Sequence, residues 1–245
     1  MTQASPAFVA RWKETGTDYP VYVDVPREKG PAPLQAVILT DGDYTFDAAA
    51  QQSRDLQRAR KIPPTAIIGI GYGKGFGESG NFRGRDYTPT EAVEEPGSGG
   101  AAAFLSFLTG SLWPELSGRH DLDQTHRTLA GHSLGSLLVL HALFQPDPFF
   151  DRALAGAPSI WWDGRSILKQ VSSLRAKTPA LRARLYLGVG LEDSPSMKGD
   201  MEMLEQDLAS QPFEGLSVVS ERFPGLDHYN SAPQILGAGL ASLLG

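Results

Sequence analysis

The chain has 245 residues, of which 41% are hydrophobic and 20% charged, with a formal net charge of −6 and no cysteine. This composition is that of a folded globular protein, and it excludes a disulfide framework, a zinc–thiolate site and a thiol nucleophile. The negative charge and the lack of a basic patch argue against nucleic acid as a partner.

The N-terminus lacks a signal-peptide pattern and no apolar run approaches about 18 residues, so we expect no membrane span. The expected location is cytoplasmic, or periplasmic if a leader was removed.

Strand and helix patterns alternate along the chain. Seven short apolar, β-branched runs are predicted as strands, at residues 19–25, 34–40, 65–71, 127–131, 152–156, 183–189 and 216–223. Helical patterns lie between them at about 45–61, 101–116, 133–145, 163–177, 199–210 and 231–243. This alternation is typical of a mostly parallel sheet with helices on both faces. We expect a single α/β domain over residues 1–245, with both faces of the sheet covered.

Residues 71–100 interrupt this alternation. The segment is Gly-rich, contains Pro89 and Pro96, and has no clear periodicity. Loops of this length are uncommon in compact domains and are usually lids or binding loops. We predict a loop on the substrate side of the sheet, with a tolerated insertion as the alternative.

The segment Gly131–Gly135, read as Gly-His-Ser-Leu-Gly, matches the G-x-S-x-G nucleophile elbow. A short strand precedes it, and the helix that follows is apolar on nearly every side, which places that helix inside the protein. The tight turn requires small neighbours, which Gly131 and Gly135 supply, and it exposes the hydroxyl of Ser133. The pattern predicts an α/β-hydrolase fold with Ser133 as the nucleophile.

A serine nucleophile needs a base, and the chain has five histidines. His132 lies inside the elbow with its side chain directed away from the nucleophile, while His120 and His126 precede the strand and so lie at the opposite edge of the sheet. His141 lies about 12 Å along the helix at 1.5 Å per residue. His228 follows the last predicted strand, at the edge where open α/β sheets bind ligands. We therefore predict His228 as the general base.

The triad acid should follow a strand between the nucleophile and the base. The strand that ends at Val189 is followed at once by Glu192 and Asp193. Two adjacent carboxylates leave the assignment open; we favour Asp193 and keep Glu192 as the alternative. Asp227 is adjacent to the base in sequence and is interpreted as a solvated loop charge.

The oxyanion hole of this fold is built from backbone N–H groups. Leu134, directly after the nucleophile, is predicted to supply one, and Gly42 or Asp43, at the end of the second predicted strand, to supply the other.

Trp161 and Trp162 follow another strand and are candidates for the wall of a substrate pocket, with core packing as the alternative. No His, Asp and Glu cluster has metal spacing, and Gly69–Gly77 matches no nucleotide-binding pattern. We expect no metal and no cofactor.

With these residues assembled, the chain resembles the putative-esterase family, which includes esterase D, feruloyl esterases, mycolyl transferases and trilactone siderophore esterases, and it is most similar to the siderophore-esterase branch. The resemblance rests on five landmarks: Leu39–Asp43, Arg85–Pro89, Leu129–Gly135, Pro158–Trp162 and His228. One departure is Ser136, which stands where the family usually has a further glycine.

The resemblance implies hydrolysis of a small-molecule carboxylic ester through an acyl-enzyme. It also implies that Arg83 or Arg85 helps to position an acidic or catecholic substrate, with a structural salt bridge as the alternative for either. An acyltransferase that uses the same triad is the nearest rival function, and a non-catalytic binding protein on the same fold is a more distant one. The sequence carries no indication of the oligomeric state.

Overall fold

The computed structural model describes residues 4–27 and 30–245. Within these ranges eight strands form one sheet: β1 (Phe8–Trp12), β2 (Thr17–Asp24), β3 (Leu34–Leu39), β4 (Thr65–Ile70), β5 (Leu122–His132), β6 (Arg152–Gly156), β7 (Ala180–Gly190) and β8 (Glu214–Phe223). Their order across the sheet is β1-β2-β4-β3-β5-β6-β7-β8. The pairs β1–β2 and β2–β4 are antiparallel and the remaining pairs are parallel.

The helices flank this sheet on both faces. They are α1 (Gly42–Arg58), α2 (Arg83–Asp86), α3 (Ala101–Phe107), α4 (Trp113–Arg119), α5 (Leu134–Leu143), α6 (Trp162–Lys177), α7 (Pro195–Ser210) and α8 (Ala232–Leu244). Neighbouring residues of β3 illustrate the two layers, because Ile38 belongs to the core that includes α5, whereas Val37 and Leu39 belong to the core formed with α1 and α8. The predicted mostly parallel α/β-hydrolase architecture, with helices on both faces, is confirmed.

Three local differences from the predicted elements have physical causes. The antiparallel edge strand β1 was missed because it is only five residues long and its sequence, Phe-Val-Ala-Arg-Trp, does not alternate between apolar and polar residues. The predicted helix over 101–116 is divided by a π-helical turn, Leu108–Leu112, just before Pro114, which has no N–H to continue an α-helical ladder. The expected coverage of both faces fails at β8, where Val218 and Val219 are exposed because this strand lies at the other edge.

The parallel register brings several strand ends to one edge. Leu39 of β3 pairs with Ala130 of β5, and His132 of β5 pairs with Gly156 of β6. Gly190 of β7 pairs with Phe223 of β8 in the same way. The segments that follow these five strands therefore start side by side, which is where open α/β sheets bind ligands.

The Gly-rich segment 71–100 contains the short helix α2 and is tied to the strands by a buried polar network. The carboxylate of Asp86 accepts hydrogen bonds from the Tyr19 and Tyr72 hydroxyls, at 2.8 and 2.9 Å, and from Nε of Arg85 at 2.7 Å. Burial raises the pKa of Asp86, and Arg85 opposes that change. The middle of the segment is thus anchored to the core, and its role as a substrate-side loop stays a prediction, as does the single domain over 1–245.

Candidate active site

Ser133 lies at the turn between β5 and α5, with φ of 59° and ψ of −123°. A positive φ is a strained conformation for a residue other than glycine and is often found at functional sites. The turn is tight enough that a side chain at Gly131 would collide with the backbone of Gly135, and one at Gly135 would collide with Thr40. The hydroxyl of Ser136 braces the turn by donating to the carbonyls of Gly131 and Gly156, each at 2.7 Å. This geometry is that of the predicted nucleophile elbow.

The structure brings Ser133, His228 and Asp193 into one hydrogen-bonded chain. Nε2 of His228 lies 3.0 Å from Oγ of Ser133, and Nδ1 of the same ring lies 2.9 Å from Oδ2 of Asp193. The three residues follow β5, β8 and β7, respectively, so the aligned strand ends place them together. Asp193 is buried, with 2% of its side chain exposed, and His228 retains 27% exposure toward the cleft. A carboxylate in this position holds the imidazole in the tautomer whose Nε2 accepts a proton.

Glu192, the alternative acid, and Asp227, interpreted as a loop charge, make other contacts. Glu192 is exposed, and its backbone N–H donates to the carbonyl of Leu226, which ties this residue to the neighbouring loop. Asp227 uses Oδ1 to accept from the backbone N–H groups of Tyr229 and Asn230. Of the two carboxylates left open by the sequence, Asp193 is therefore the one that the structure places on His228.

His132 packs against the ring of His228, with ring centroids 4.9 Å apart. Burial, together with the nearby His228, lowers the pKa of His132 to about 3. His132 therefore stays neutral at physiological pH while it packs beside the ring of His228. His141 is a buried residue of α5, and its Nδ1 lies 2.7 Å from Oε1 of Gln170.

The junction of β3 and α1 adjoins the elbow, since the backbone N–H of Thr40 donates to the carbonyl of Ala130 at 3.0 Å. Gly42 begins α1 and Leu134 begins α5, so both residues belong to a helix N-terminus. The carboxylate of Asp43 is directed to a different cluster, where it accepts from the Tyr22 hydroxyl and from the N–H groups of Tyr72 and Gly73. The predicted oxyanion role concerns backbone N–H groups, and for Leu134, Gly42 and Asp43 it stays a prediction.

Two cavities meet at Ser133. One has a volume of about 520 Å³ and includes Tyr44, Phe76, Arg83 and Leu236 in its lining. The other has a volume of about 360 Å³ and is lined in part by Ser159, Trp161, Glu192 and Met197. Tyr229 and His228 line both cavities. The hydroxyl of Ser133 therefore lies where two substrate arms could meet.

The two candidate arginines occupy different environments. Arg83 lines the larger cavity, where it forms an ion pair with Asp41 through two hydrogen bonds. Arg85 instead lies in the buried network of Asp86, and it also donates to the hydroxyls of Thr17 and Tyr19. The expectation of a substrate contact is therefore corrected for Arg85, because its guanidinium is engaged on the β2 side of the loop.

The two candidate tryptophans also separate. Trp161 is 46% exposed and lines the smaller cavity beside Ser133. Trp162 is 4% exposed, belongs to the core, and donates its indole N–H to the carbonyl of Thr90 at 3.0 Å. The pocket-wall interpretation is corrected for Trp162, which is a core residue, and it stays a prediction for Trp161.

Two cleft residues, Asp41 and Ser159, were not selected from the sequence as site residues. Both lie within three residues of the end of a parallel strand, Asp41 after β3 and Ser159 after β6, at the edge that carries the site. That position was the available signal, because side chains at the carboxyl ends of such strands collect in one place.

The family model described as "Putative esterase" matches residues 13–221 of the chain. The chain belongs to this family. Its relatives include the siderophore triacetylfusarinine C esterase of Aspergillus fumigatus, which is 33% identical over 168 residues, covering 65% of this chain and 58% of that protein. The ferri-bacillibactin esterase BesA of Bacillus subtilis is 28% identical over 245 aligned positions, covering 91% of this chain and 83% of that protein. Both relatives are named as esterases, the class predicted from the sequence.

Solved structures share the fold of this chain. The BES protein from Bacillus cereus superposes with a TM-score of 0.88 at 25% identity, covering 100% of this chain and 96% of that chain. The siderophore hydrolase EstB from Aspergillus nidulans superposes with a TM-score of 0.83 at 24% identity, covering 100% of this chain and 95% of the other. Within residues 4–27 and 30–245, the helices of this family member are too short or too polar to cross a membrane.

Proposed function

We propose that this chain hydrolyses small carboxylic esters through a Ser133–His228–Asp193 triad and a covalent acyl-enzyme. The observation that carries the proposal is the position of His228, whose ring nitrogens lie 3.0 Å from Oγ of Ser133 and 2.9 Å from Oδ2 of Asp193. A serine hydroxyl becomes an effective nucleophile only when a base removes its proton during attack. The family to which the chain belongs, with its named esterases, supports the same chemistry.

In the first step, Oγ of Ser133 attacks the ester carbonyl carbon while its proton moves to Nε2 of His228. The resulting imidazolium is stabilised by Asp193 through Nδ1–H, and it gives its proton to the departing alcohol oxygen as the ester C–O bond breaks. In the second step, His228 takes a proton from water as the water attacks the acyl-enzyme. The proton then returns to Oγ of Ser133 as the acid is released.

The negative charge on the carbonyl oxygen requires backbone donors in each step. We assign this role to the N–H of Leu134 and to that of Gly42 or Asp43. Support comes from their position at the N-termini of α5 and α1 and from the contact between the β3–α1 junction and the elbow. Helix N-termini favour negative charge because their first N–H groups lack partners within the helix.

For the substrate, we propose a siderophore-type trilactone or another small ester with two bulky arms. Cavities of about 520 and 360 Å³ on either side of Ser133 provide separate space for acyl and alcohol groups. Aromatic side chains line both, including Phe76, Tyr229 and Trp161. The relatives named as siderophore esterases support this substrate class.

The proposal is tested with a panel of p-nitrophenyl esters, from acetate to long chains, followed by a trilactone siderophore, on the wild type and Ser133→Ala side by side. Turnover by the wild type that is lost in Ser133→Ala supports the triad, and full turnover by the variant contradicts it. Adding alcohol acceptors and analysing the products separates hydrolysis from acyl transfer. Cleavage of the trilactone with slow turnover of simple esters supports the siderophore-type substrate.

A further inference from the structure

The hydroxyl of Ser159 lies next to the reacting atom. Ser159 follows β6 in the turn that leads to α6, and its Oγ lies 3.4 Å from Oγ of Ser133. Its backbone is fixed to the elbow as well, because its N–H donates to the carbonyl of Ser133 at 3.3 Å. The residue is 1% exposed. Among the described residues, Ser133 is the one hydrogen-bond partner of this buried hydroxyl.

The direction of this hydrogen bond follows from the protons that are available. When Nδ1 of His228 donates to Asp193, Nε2 is unprotonated and accepts the single hydroxyl proton of Ser133. Ser133 then has no proton left for Ser159, so Ser159 must be the donor and Oγ of Ser133 the acceptor. The contrast with Ser136 is informative, because that hydroxyl lies 2.7 Å from the backbone carbonyls of both Gly131 and Gly156, shares its one proton between them and braces the turn.

A buried hydroxyl is costly unless it is well hydrogen-bonded. A single partner at 3.4 Å compensates this cost poorly in the resting protein, whereas a partner that becomes negatively charged compensates it well. Catalytic hydrogen bonds are often long in the unliganded state and shorten when charge develops. The contact therefore fits a donor whose strongest interaction forms during the reaction.

We propose that Ser159 is a further catalytic residue, which donates a hydrogen bond to Oγ of Ser133 when that oxygen carries negative charge. This inference rests on the proposed function. During acylation, Oγ gains charge as its proton moves to His228 and its bond to the carbonyl carbon forms. During deacylation, the C–Oγ bond breaks, the electron pair goes to Oγ, and the proton returns from His228. Ser159 keeps its own proton throughout.

The test compares Ser159→Ala, which removes the donor, with Ser159→Thr, which keeps a hydroxyl. Two quantities are measured: kcat and KM for a p-nitrophenyl ester, and the second-order rate of labelling by a small fluorophosphonate. We expect Ser159→Ala to lower kcat and the labelling rate about tenfold, with KM changed less than about twofold, because the lost hydrogen bond is long in the resting protein and strongest in the transition state. Ser159→Thr should recover both rates to within about threefold. Ser106→Ala, an exposed serine on α3, is the matched control and should change neither.

The outcomes separate this inference from the proposed function. A merely structural role would lower the thermal midpoint or raise KM and leave labelling unchanged, so a Ser159→Ala protein that is labelled at the wild-type rate overturns the inference. The same holds if Ser159→Thr, folded with a wild-type midpoint, reacts as slowly as Ser159→Ala. If the wild type itself is neither labelled at Ser133 nor active on esters, it is the proposed function that fails.

Discussion

Arg83 binds Asp41 through two parallel hydrogen bonds, with Nε and Nη2 lying 3.1 and 3.0 Å from the two carboxylate oxygens. The pair lies in the wall of the larger cavity beside Ser133, with 20% of the arginine side chain and 4% of the aspartate side chain exposed. Burial raises the pKa of Asp41, and the adjacent guanidinium opposes that change. The positive charge of Arg83 is therefore largely balanced before any substrate binds.

Asp41→Asn should increase the preference of the enzyme for anionic esters. The substitution leaves Arg83 with an uncompensated charge in the cleft, and asparagine tolerates the left-handed backbone of this position, where φ is 51°. We expect kcat/KM for p-nitrophenyl hemisuccinate to rise about threefold to tenfold relative to that for p-nitrophenyl butyrate. The rise should shrink at high salt. An unchanged ratio between the two esters would show that Arg83 does not face the acyl group.

Asp193→Asn should reduce turnover far more than Glu192→Gln. The first change removes the carboxylate that lies 2.9 Å from Nδ1 of His228 and that, in the proposed mechanism, fixes the tautomer of this ring, so we expect kcat to fall by about 10³ to 10⁴. The second alters an exposed side chain outside this hydrogen-bonded chain, and we expect kcat within about threefold of the wild type. Steady-state kinetics on one p-nitrophenyl ester measures both. A larger loss in Glu192→Gln would reverse the assignment of the acid.

Truncation of Trp162 should reduce stability, whereas truncation of Trp161 should weaken substrate binding. Trp162→Ala removes a core side chain and its bond to Thr90, so we expect a loss of about 3 to 5 kcal/mol in the free energy of unfolding. Trp161→Ala removes a half-exposed cleft residue and should change stability by less than about 1 kcal/mol. It should instead raise KM for esters with aromatic groups. Urea unfolding and steady-state kinetics, applied to both variants, test the pair, and equal destabilisation would contradict the structure.

His132 should make the fold less stable in mild acid. Its pKa falls from 6.5 to about 3 in the folded chain, so the unfolded chain binds the proton first as the pH drops. Stability is therefore lost between pH 6.5 and pH 3, and the part lost by pH 5 is about 2 kcal/mol. In His132→Gln, the decrease in unfolding free energy from pH 7 to pH 5 should be smaller by that amount. Urea unfolding at the two pH values measures this difference, and identical decreases in both proteins would refute it.

The parallel sheet with helices on both faces, and the positions of Ser133 and His228 in it, could be predicted because they depend on local sequence patterns. Strand periodicity, the glycines of the elbow and the position of a histidine after the last strand need no knowledge of distant contacts. The edge strand β1 lacked such a pattern, since its five residues, Phe-Val-Ala-Arg-Trp, neither alternate between apolar and polar types nor form a continuous apolar run. The parallel register then brings residues 95 positions apart, Ser133 and His228, into contact.

The remaining site assignments depend on non-local contacts that no short pattern reveals. The choice between Glu192 and Asp193 depends on how the turn after β7 is tied to Leu226. Trp162 packs in the core and donates its indole N–H to the carbonyl of Thr90, 72 positions away. Arg85 donates hydrogen bonds to the hydroxyls of Thr17 and Tyr19 of β2, and the residues next to Arg85 in sequence do not predict these distant contacts.

Labelling with a fluorophosphonate, followed by intact mass and peptide mapping, tests the central claim that His228 activates Ser133. We predict a single adduct, located on Ser133, that is absent in Ser133→Ala and forms at least about a hundredfold more slowly in His228→Gln, because the base is lost. An adduct on another residue, or ester turnover by a wild type that forms no adduct, would contradict the account.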